Sequence, residues 1–327
     1  MGIKDLLKFV KDKHPGVISP LRLSDLPSKN IFYDTSIIIY KALSAMNFKH
    51  NKSVYTPRTE SGTPYAHILS LLVKAREAKK AGVNPVWVFE GPSSEMKAET
   101  ITKRIQNSRE SRKLAEKNEL EGDLDSALKY TKRSVRVSDS ERILAQRVMR
   151  IIGQQVVESG EESDRVLTYL ARENDGVVYT DDSDLLALGV KYLIRKGEKK
   201  DTYDLYDGDL LREQMGLDRR GFAAFCVLLG TDYNSNLPRV RKQMIIEDLR
   251  EGKSIQDILK KYQADEEFST KARVSFEYFS NEERPIFSFS ESIENPRQEA
   301  EGFVASLKPS KSKTSIEKSF AEFFKAK

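Results

Sequence analysis

The sequence predicts an α/β fold, a mostly parallel central sheet with helices on both faces. Short β-branched and aromatic runs, Ile31-Phe32-Tyr33, Pro85-Val86-Trp87-Val88-Phe89, Gln154-Gln155-Val156-Val157 and Val177-Val178-Tyr179, have the length and composition of buried strands. Segments with apolar residues at helical spacing alternate with them, the arrangement a parallel sheet requires. Acidic residues also recur at the ends of these runs or just beyond: Asp34, Glu90, Glu162 with Asp164, and Asp182 with Asp184. In such sheets ligands gather outside the carboxyl ends of the strands.

Taken in order, Ile3, Leu6, Leu7 and Val10 mark a first helix that His14-Pro15-Gly16 stops. The first strand ends in Asp34, and Ile37, Ile38, Tyr40, Leu43 and Met46 mark the helix after it. A stretch rich in Lys, Ser, Thr and Pro, about 48–62, reads as a polar loop. Thr63-Pro64 suits an N-cap and first helical position, with the helix running to Ala81-Gly82. The second strand ends in Glu90. From 93 to about 137 the chain is charged, poor in large apolar residues and broken by Gly122-Asp123, which predicts a solvated helical hairpin. Helix, strand and helix follow at about 138–152, 154–158 and 162–174. The acidic strand 177–179, strands at 192–194 and 203–206, and short helices to about 262 complete the pattern.

Asp181-Asp182-Ser183-Asp184 lies between two apolar runs, which places it at the end of a core strand. Carboxylates packed so closely must protonate unless a cation holds them. Hard divalent ions take such oxygen ligands. A strand-end turn followed by a helix N-cap also favours Asp, and for one Asp alone that explanation suffices. Several acidic strand ends on one edge exceed what a single ion needs. Two divalent ions about 4 Å apart would use them for in-line displacement at a phosphodiester. The histidines, His14, His50 and His67, lie away from these strand ends. Lys97 and Arg104 are seven apart and share a helix face, where they could neutralise a scissile phosphate or form an ordinary solvated surface. Tyr40 could stack on a base or belong to the core.

The 327 residues carry a net charge of +5, unevenly spread. Residues 97–137 hold 11 basic against 7 acidic residues, 263–302 hold 4 against 10, and 308–327 hold 6 against 2. Such segregation suits a protein that meets a polyanion with one face. The single cysteine, Cys226, sits in an apolar run and reads as a small buried hydrophobe. No apolar run approaches the length of a membrane span, and no secretion signal opens the chain. Nor does a glycine-rich phosphate loop, a zinc pattern or a nucleophile elbow compete with the acidic edge.

Residues 1–262 resemble the flap endonuclease branch of the XPG-like 5′-nucleases. The resemblance rests on the opening Gly2-Ile3-Lys4-Asp5-Leu6-Leu7, on Phe32-Tyr33-Asp34-Thr35-Ser36, on Pro85-Val86-Trp87-Val88-Phe89-Glu90-Gly91 and on Lys129-Tyr130-Thr131-Lys132-Arg133-Ser134. Glu162-Ser163-Asp164, Thr180-Asp181-Asp182-Ser183-Asp184-Leu185-Leu186 and Leu228-Leu229-Gly230-Thr231-Asp232-Tyr233 follow in the family's order. It implies a PIN/5′-nuclease-like fold with a helical arch insertion and a C-terminal helix-hairpin-helix-type region. It implies two Mg²⁺ ions, with Mn²⁺ able to substitute, held by Asp34, Glu90, Glu162, Asp164, Asp182, Asp184 and Asp232. Lys97 and Arg104 become the catalytic lysine and arginine, Tyr40 the residue stacking on the unpaired base, and Lys132 and Arg133 DNA contacts at the end of the arch.

Glu90 stands where the family usually has Asp, and Glu161 adjoins Glu162, which is preferred as ligand for its pairing with Asp164. The family's glycine-rich hairpin, which grips duplex phosphates through amides and a monovalent ion, corresponds to Leu237-Pro238-Arg239-Val240-Arg241-Lys242. Two glycines are replaced by arginines there, so Arg239, Arg241 and Lys242 would bind by side-chain charge, with strong salt dependence. Residues beyond about 307 read as disordered. Phe320, Phe323 and Phe324 nevertheless form a helical apolar face resembling a sliding-clamp-binding box, or else a helix packing on its own domain.

The expected organisation is a nuclease region at 1–96, an arch at 97–137 and an internal nuclease and DNA-binding region at 138–262. An acidic extension at 263–306 and a tail at 307–327 complete it. The expected activity is a structure-specific 5′ flap endonuclease and 5′–3′ exonuclease of DNA replication and repair. It would be a monomer acting on branched or flapped DNA, in the nucleus or another site of replication, or in the cytoplasm. The alternatives are a 5′ exonuclease or RNA-directed nuclease of the same superfamily, and an inactive nucleic-acid-binding scaffold.

Overall fold

A computed structural model describes residues 2–58, 62, 64–92, 94, 97–291, 293–306 and 311–325. The chain opens with α1 (Leu6–Lys13), β1 (Ile18–Leu21), β2 (Asn30–Asp34) and α2 (Thr35–Ala45). It continues through β3 (Phe48–His50), β4 (Ser53–Tyr55), α3 (Ala66–Ala81), β5 (Asn84–Phe89), α4 (Ala98–Leu120) and α5 (Leu124–Ser134). Next come α6 (Asp139–Ile151), β6 (Gln155–Ser159), α7 (Ser163–Glu173), β7 (Val177–Tyr179), α8 (Asp184–Ala187), β8 (Tyr192–Lys196) and β9 (Tyr203–Asp207). Then follow α9 (Gly208–Met215), α10 (Arg219–Leu229), α11 (Lys242–Arg250), α12 (Ile255–Lys261) and α13 (Glu266–Ser280). The last elements are β10 (Phe287–Phe289), α14 (Pro296–Ser306) and α15 (Lys311–Lys325). The expected class, a mostly parallel mixed sheet with helices on both faces, is the one observed.

Two compact units divide the chain. The first comprises 1–33, 93–97 and 161–286. Its strands run β1-β9-β8-β7-β2. β2 and β7 pair in parallel, Ile31 opposite Val177 and Tyr33 opposite Tyr179, and β7 and β8 are also parallel. Parallel strands bury both faces, which is why 177–179 is apolar throughout and fully buried. β8, β9 and β1 are antiparallel. β1 escaped the sequence reading because Pro20 argues against a strand; an edge strand tolerates it. The run Phe222–Leu229 is buried on every side in α10, Cys226 included, and burial pushes that thiol up, away from reactivity.

The second unit comprises 34–92, 98–160 and 287–327. β5 and β6 are parallel, and β10 adds an antiparallel edge, Phe287 opposite Ser159. Trp87 is fully buried on β5 with its indole N–H donating to Gln154 Oε1 at 3.1 Å. α4 and α5 form the expected helical hairpin. Each buries one small residue, Ala115 and Ala127, so the hairpin contributes little core.

Three expectations change here. The supposed polar loop after α2 holds the β3–β4 hairpin. Asn51 and Lys52 take φ of 46° and 63°, the left-handed pair that suits a two-residue turn, and the rings of Phe48, His50 and Tyr55 cluster on it. α3 starts at Ala66 with Tyr65 at its N-cap, because Pro64 bridges back to Arg58; Thr63 lies outside the described residues. The tail contains the helix α15, packed on α3 and α14. Ile316, Phe320 and Phe323 are buried, Phe303 meets Phe320 with ring centroids 6.0 Å apart, and Glu322 pairs with Arg76. Apolar burial won over a composition that suggested disorder.

Candidate active site

In the first unit β7 delivers the acidic turn to the end of the sheet. Thr180 is fully buried, and its hydroxyl accepts the N–H of Asp182 at 3.0 Å. Asp182 Oδ1 accepts the N–H of Asp184 at 3.1 Å and so starts α8. Asp184 is 1% exposed, and its Oδ1 has no hydrogen-bond partner among the described residues. Burial raises the carboxyls of Asp182 and Asp184, and Asp232 raises both further. Asp181 turns away to Arg195 at 3.3 Å.

Gly2, at φ +92°, packs on this turn. A Cβ there would collide with Asp182 Oδ1 and Ser183, so only glycine lets the backbone approach. The sequence reading quoted Gly2 only as part of an opening motif.

The start of α7 carries Glu162 and Asp164. Lys97 Nζ lies 2.7 Å from Glu162 Oε2 and 3.6 Å from Asp164 Oδ2. Burial would raise Glu162, but Lys97 and other donors outweigh it and hold the carboxyl at about 2. Burial would lower Lys97, but Asp164 and Glu162 keep it firmly charged. Tyr233 and Tyr278 also donate to Glu162 Oε2, at 2.7 and 2.9 Å, and the Ser94 N–H donates to Oε1 at 3.1 Å. Neither tyrosine nor Ser94 was a sequence candidate: Tyr233 was quoted only as the end of the Leu228–Tyr233 motif, and Tyr278 lies in a stretch that matches no motif. Glu161 bonds Arg165 at 2.7 Å and the Ile286 N–H at 2.9 Å, both structural tasks.

In the second unit Asp34 is buried at the end of β2, and its carboxylate caps α2 by accepting the Ile37 N–H at 3.3 Å. Glu90 follows β5, its carbonyl held by Arg142 at 3.2 Å. Tyr40 is 37% exposed on α2. Arg104 is exposed on α4, and Lys97 lies just before that helix begins. Arg133, at the end of α5, stacks on Tyr130 at 5.8 Å, and the Lys132 carbonyl accepts from Ser44 Oγ at 3.4 Å. A cavity of about 530 Å³ lies under the arch helices, lined by Arg58, Arg109, Arg112 and Arg136 together with Glu116 and Glu119.

Arg239 takes φ 62° in the connection between α10 and α11, a left-handed conformation that favours glycine. Arg241 is the N-cap of α11, and Lys242 Nζ lies 5.7 Å over the Phe9 ring. Phe320 and Phe323 are spent on intramolecular packing, and Phe324 stacks with Arg297 at 5.7 Å.

Among the described residues no three His, Cys, Asp or Glu side chains form a ready ion cage. The donor set nevertheless fits a divalent ion. Asp182, Asp184 and Asp232 are hard oxygen donors, Asp232 raises the carboxyls of the other two, and one buried Asp184 oxygen has no hydrogen-bond partner among the described residues.

Two family models match the chain: the XPG N-terminal domain over residues 1–111 and the XPG I-region over residues 153–232. The flap endonuclease 1 of Chlamydomonas reinhardtii is 26% identical over 295 residues, covering 86% of this chain and 73% of that protein. The flap endonuclease 1 of Theileria parva is 30% identical over 271 residues, covering 82% of this chain and 52% of that protein. The chain thus spans about half the length of the Theileria and Plasmodium knowlesi relatives. Among solved structures, flap endonuclease-1 from Methanococcus jannaschii matches with TM-score 0.66 at 19% identity, covering 94% of this chain and 95% of that one. Human GEN1 in complex with Holliday junction DNA matches with TM-score 0.65 at 18% identity, covering 98% and 77%. At these identities the structural likeness is one of fold.

Proposed function

The chain belongs to the XPG-like 5′-nuclease family, and from that premise we propose that it is a metal-dependent, structure-specific 5′ nuclease that hydrolyses phosphodiesters in flapped or branched DNA. The observation that carries the reading is the buried Asp182–Asp184 turn with its orphaned Asp184 oxygen. Asp34, Glu90, Glu162, Asp164, Asp182, Asp184 and Asp232 would hold two Mg²⁺ ions, with Mn²⁺ able to substitute. Bound there, the ions would supply an activated water and stabilise the leaving oxygen.

The chain's own residues do the rest. Lys97 stays charged between Glu162 and Asp164 and offers an ammonium to a phosphate. Arg104 offers a second cation from α4, and Tyr40 presents an exposed ring for stacking on a base. The arginines under the arch favour the passage of a single strand, and Lys132 and Arg133 extend that surface. Arg239, Arg241 and Lys242 would grip the duplex phosphates.

The protein would act as a monomer at sites of DNA replication and repair. Docking of Phe320, Phe323 and Phe324 on a sliding clamp would require α15 to leave α3. Asp184→Ala is expected to reduce cleavage by at least about 100-fold while flap binding survives; undiminished cutting sinks the reading. Cleavage of a flap, a blunt duplex and single-stranded RNA by the purified protein separates the flap reading from a 5′ exonuclease or an RNA-directed nuclease. A scaffold would cut none.

A further inference from the structure

Both oxygens of the Glu162 carboxylate accept from protein donors, three on Oε2 and one on Oε1, which leaves Oε1 a lone pair for an ion. Oε2 accepts from Lys97 Nζ at 2.7 Å, Tyr233 Oη at 2.7 Å and Tyr278 Oη at 2.9 Å, and Oε1 accepts the Ser94 N–H at 3.1 Å. The side chain is 3% exposed, so little solvent competes for these bonds. A carboxylate with four donors in a dry site is fixed in position and plane. The donors also support one another. The Tyr233 and Tyr278 rings lie 4.8 Å apart, Lys97 Nζ lies 5.2 Å over the Tyr233 ring, and fully buried Phe279 packs against both tyrosines at 5.8 and 5.2 Å.

The two phenols come from different places. Tyr233 follows α10. Tyr278 lies in the last turn of α13, within the acidic extension to which no motif assigns a role.

We propose that Tyr278, together with Tyr233, is a positioning residue that holds the Glu162 carboxylate and, through it, the ammonium of Lys97 where a scissile phosphate is to be met. The proposal deepens the nuclease reading and rests on it. Lysine carries its charge on a flexible four-carbon stem. A single rotating carboxylate would let that stem wander, and a misplacement of about 1 Å can cost about 100-fold in rate. Four donors on Glu162 remove that freedom before substrate arrives. α13 is thereby a wall of the catalytic centre.

Tyr278→Phe tests this, since it keeps the ring and deletes only the hydroxyl. The melting temperature is expected to stay near that of the wild type. The kcat on flapped DNA is expected to fall about tenfold with KM unchanged. In a Lys97→Ala background the same substitution is expected to have no further effect, because it acts through the ammonium. A second readout needs no turnover: an amine-reactive reagent should label Lys97 faster in metal-free Tyr278→Phe than in the wild type, as read by peptide mass spectrometry. Tyr233→Phe should move both readouts the same way.

Unchanged kcat and unchanged labelling would overturn the proposal. So would an equal loss of rate with and without Lys97, which marks a merely structural tyrosine. If the wild-type protein cuts no substrate with Mg²⁺ or Mn²⁺, the nuclease reading fails, while the labelling still decides whether the phenols hold Lys97.

Discussion

The ammonium of Lys97 lies 2.7 Å from Oε2 of Glu162, a bond between side chains only 13% and 3% exposed. It divides the carboxylates of the first unit into two kinds. Glu162 and Asp164 share the ammonium of Lys97, at 2.7 and 3.6 Å. For Asp182 and Asp184 burial comes first and pushes both carboxyls up, Asp232 raises both and Asp182 raises Asp184 as well, and Lys97 offsets this only in part. The second kind marks where added positive charge would gain most.

Asp184→Asn should therefore stabilise the metal-free protein near neutral pH, because burial disfavours the charge that the amide removes. Mg²⁺ or Mn²⁺ at 100 times its Kd should stabilise the wild type by about 2.7 kcal/mol, and the variant much less. Thermal unfolding with and without ion checks both; equal shifts in the two proteins would remove Asp184 from the ligand set.

His67 should make the protein acid-sensitive. It is fully buried in α3, and neither ring nitrogen has a hydrogen-bond partner of ordinary geometry among the described residues. Burial lowers its pKa from 6.5 to about 4, partly offset by the nearby Glu141 backbone. The folded state disfavours the proton that the unfolded chain accepts below 6.5. Stability is thus fully present above 6.5 and falls as pH drops from there to about 4, by about 3 kcal/mol at most. Denaturant unfolding at pH 7 and pH 4.5 measures it, and His67→Phe should flatten that window.

Arg239→Gly should separate stability from binding. Relief of the left-handed backbone at φ 62° should stabilise the fold by about 1 kcal/mol. Loss of one phosphate-binding charge should weaken duplex binding and reduce the salt slope by about 1. Chemical unfolding and binding titrations across salt concentrations test the two halves.

Phe320→Ala should cost about 3–5 kcal/mol of local stability, because the ring is buried against Phe303. Hydrogen exchange in α14 and α15 reads that loss. Unchanged protection would mean that the aromatic face is free, as a clamp-docking box requires.

Much of the fold was legible because apolar runs and helical spacing are local signals. Ile31–Tyr33 and Val177–Tyr179 reveal buried strands without knowledge of their neighbours, and Gly122-Asp123 reveals the turn of the arch. What escaped depends on partners far away in sequence. β1 and β10 are edge strands that exist only because β9 and β6 accept them. The hairpin at 48–55 hides behind polar residues, since its turn asks for left-handed backbone at Asn51 and Lys52 rather than for glycine.

By itself the sequence determined which residues carry charge at the strand ends, because a strand followed by a carboxylate can be seen without a third dimension. It named Asp182, Asp184 and Glu162 alike as ligands of one pair of ions, with Lys97 as a cation beside them. Only the tertiary structure decided how they differ. Hydrogen bonds and burial depend on what folds against a side chain: Tyr278, 116 residues from Glu162, supplies a donor to one carboxylate, while nothing among the described residues donates to Asp184 Oδ1.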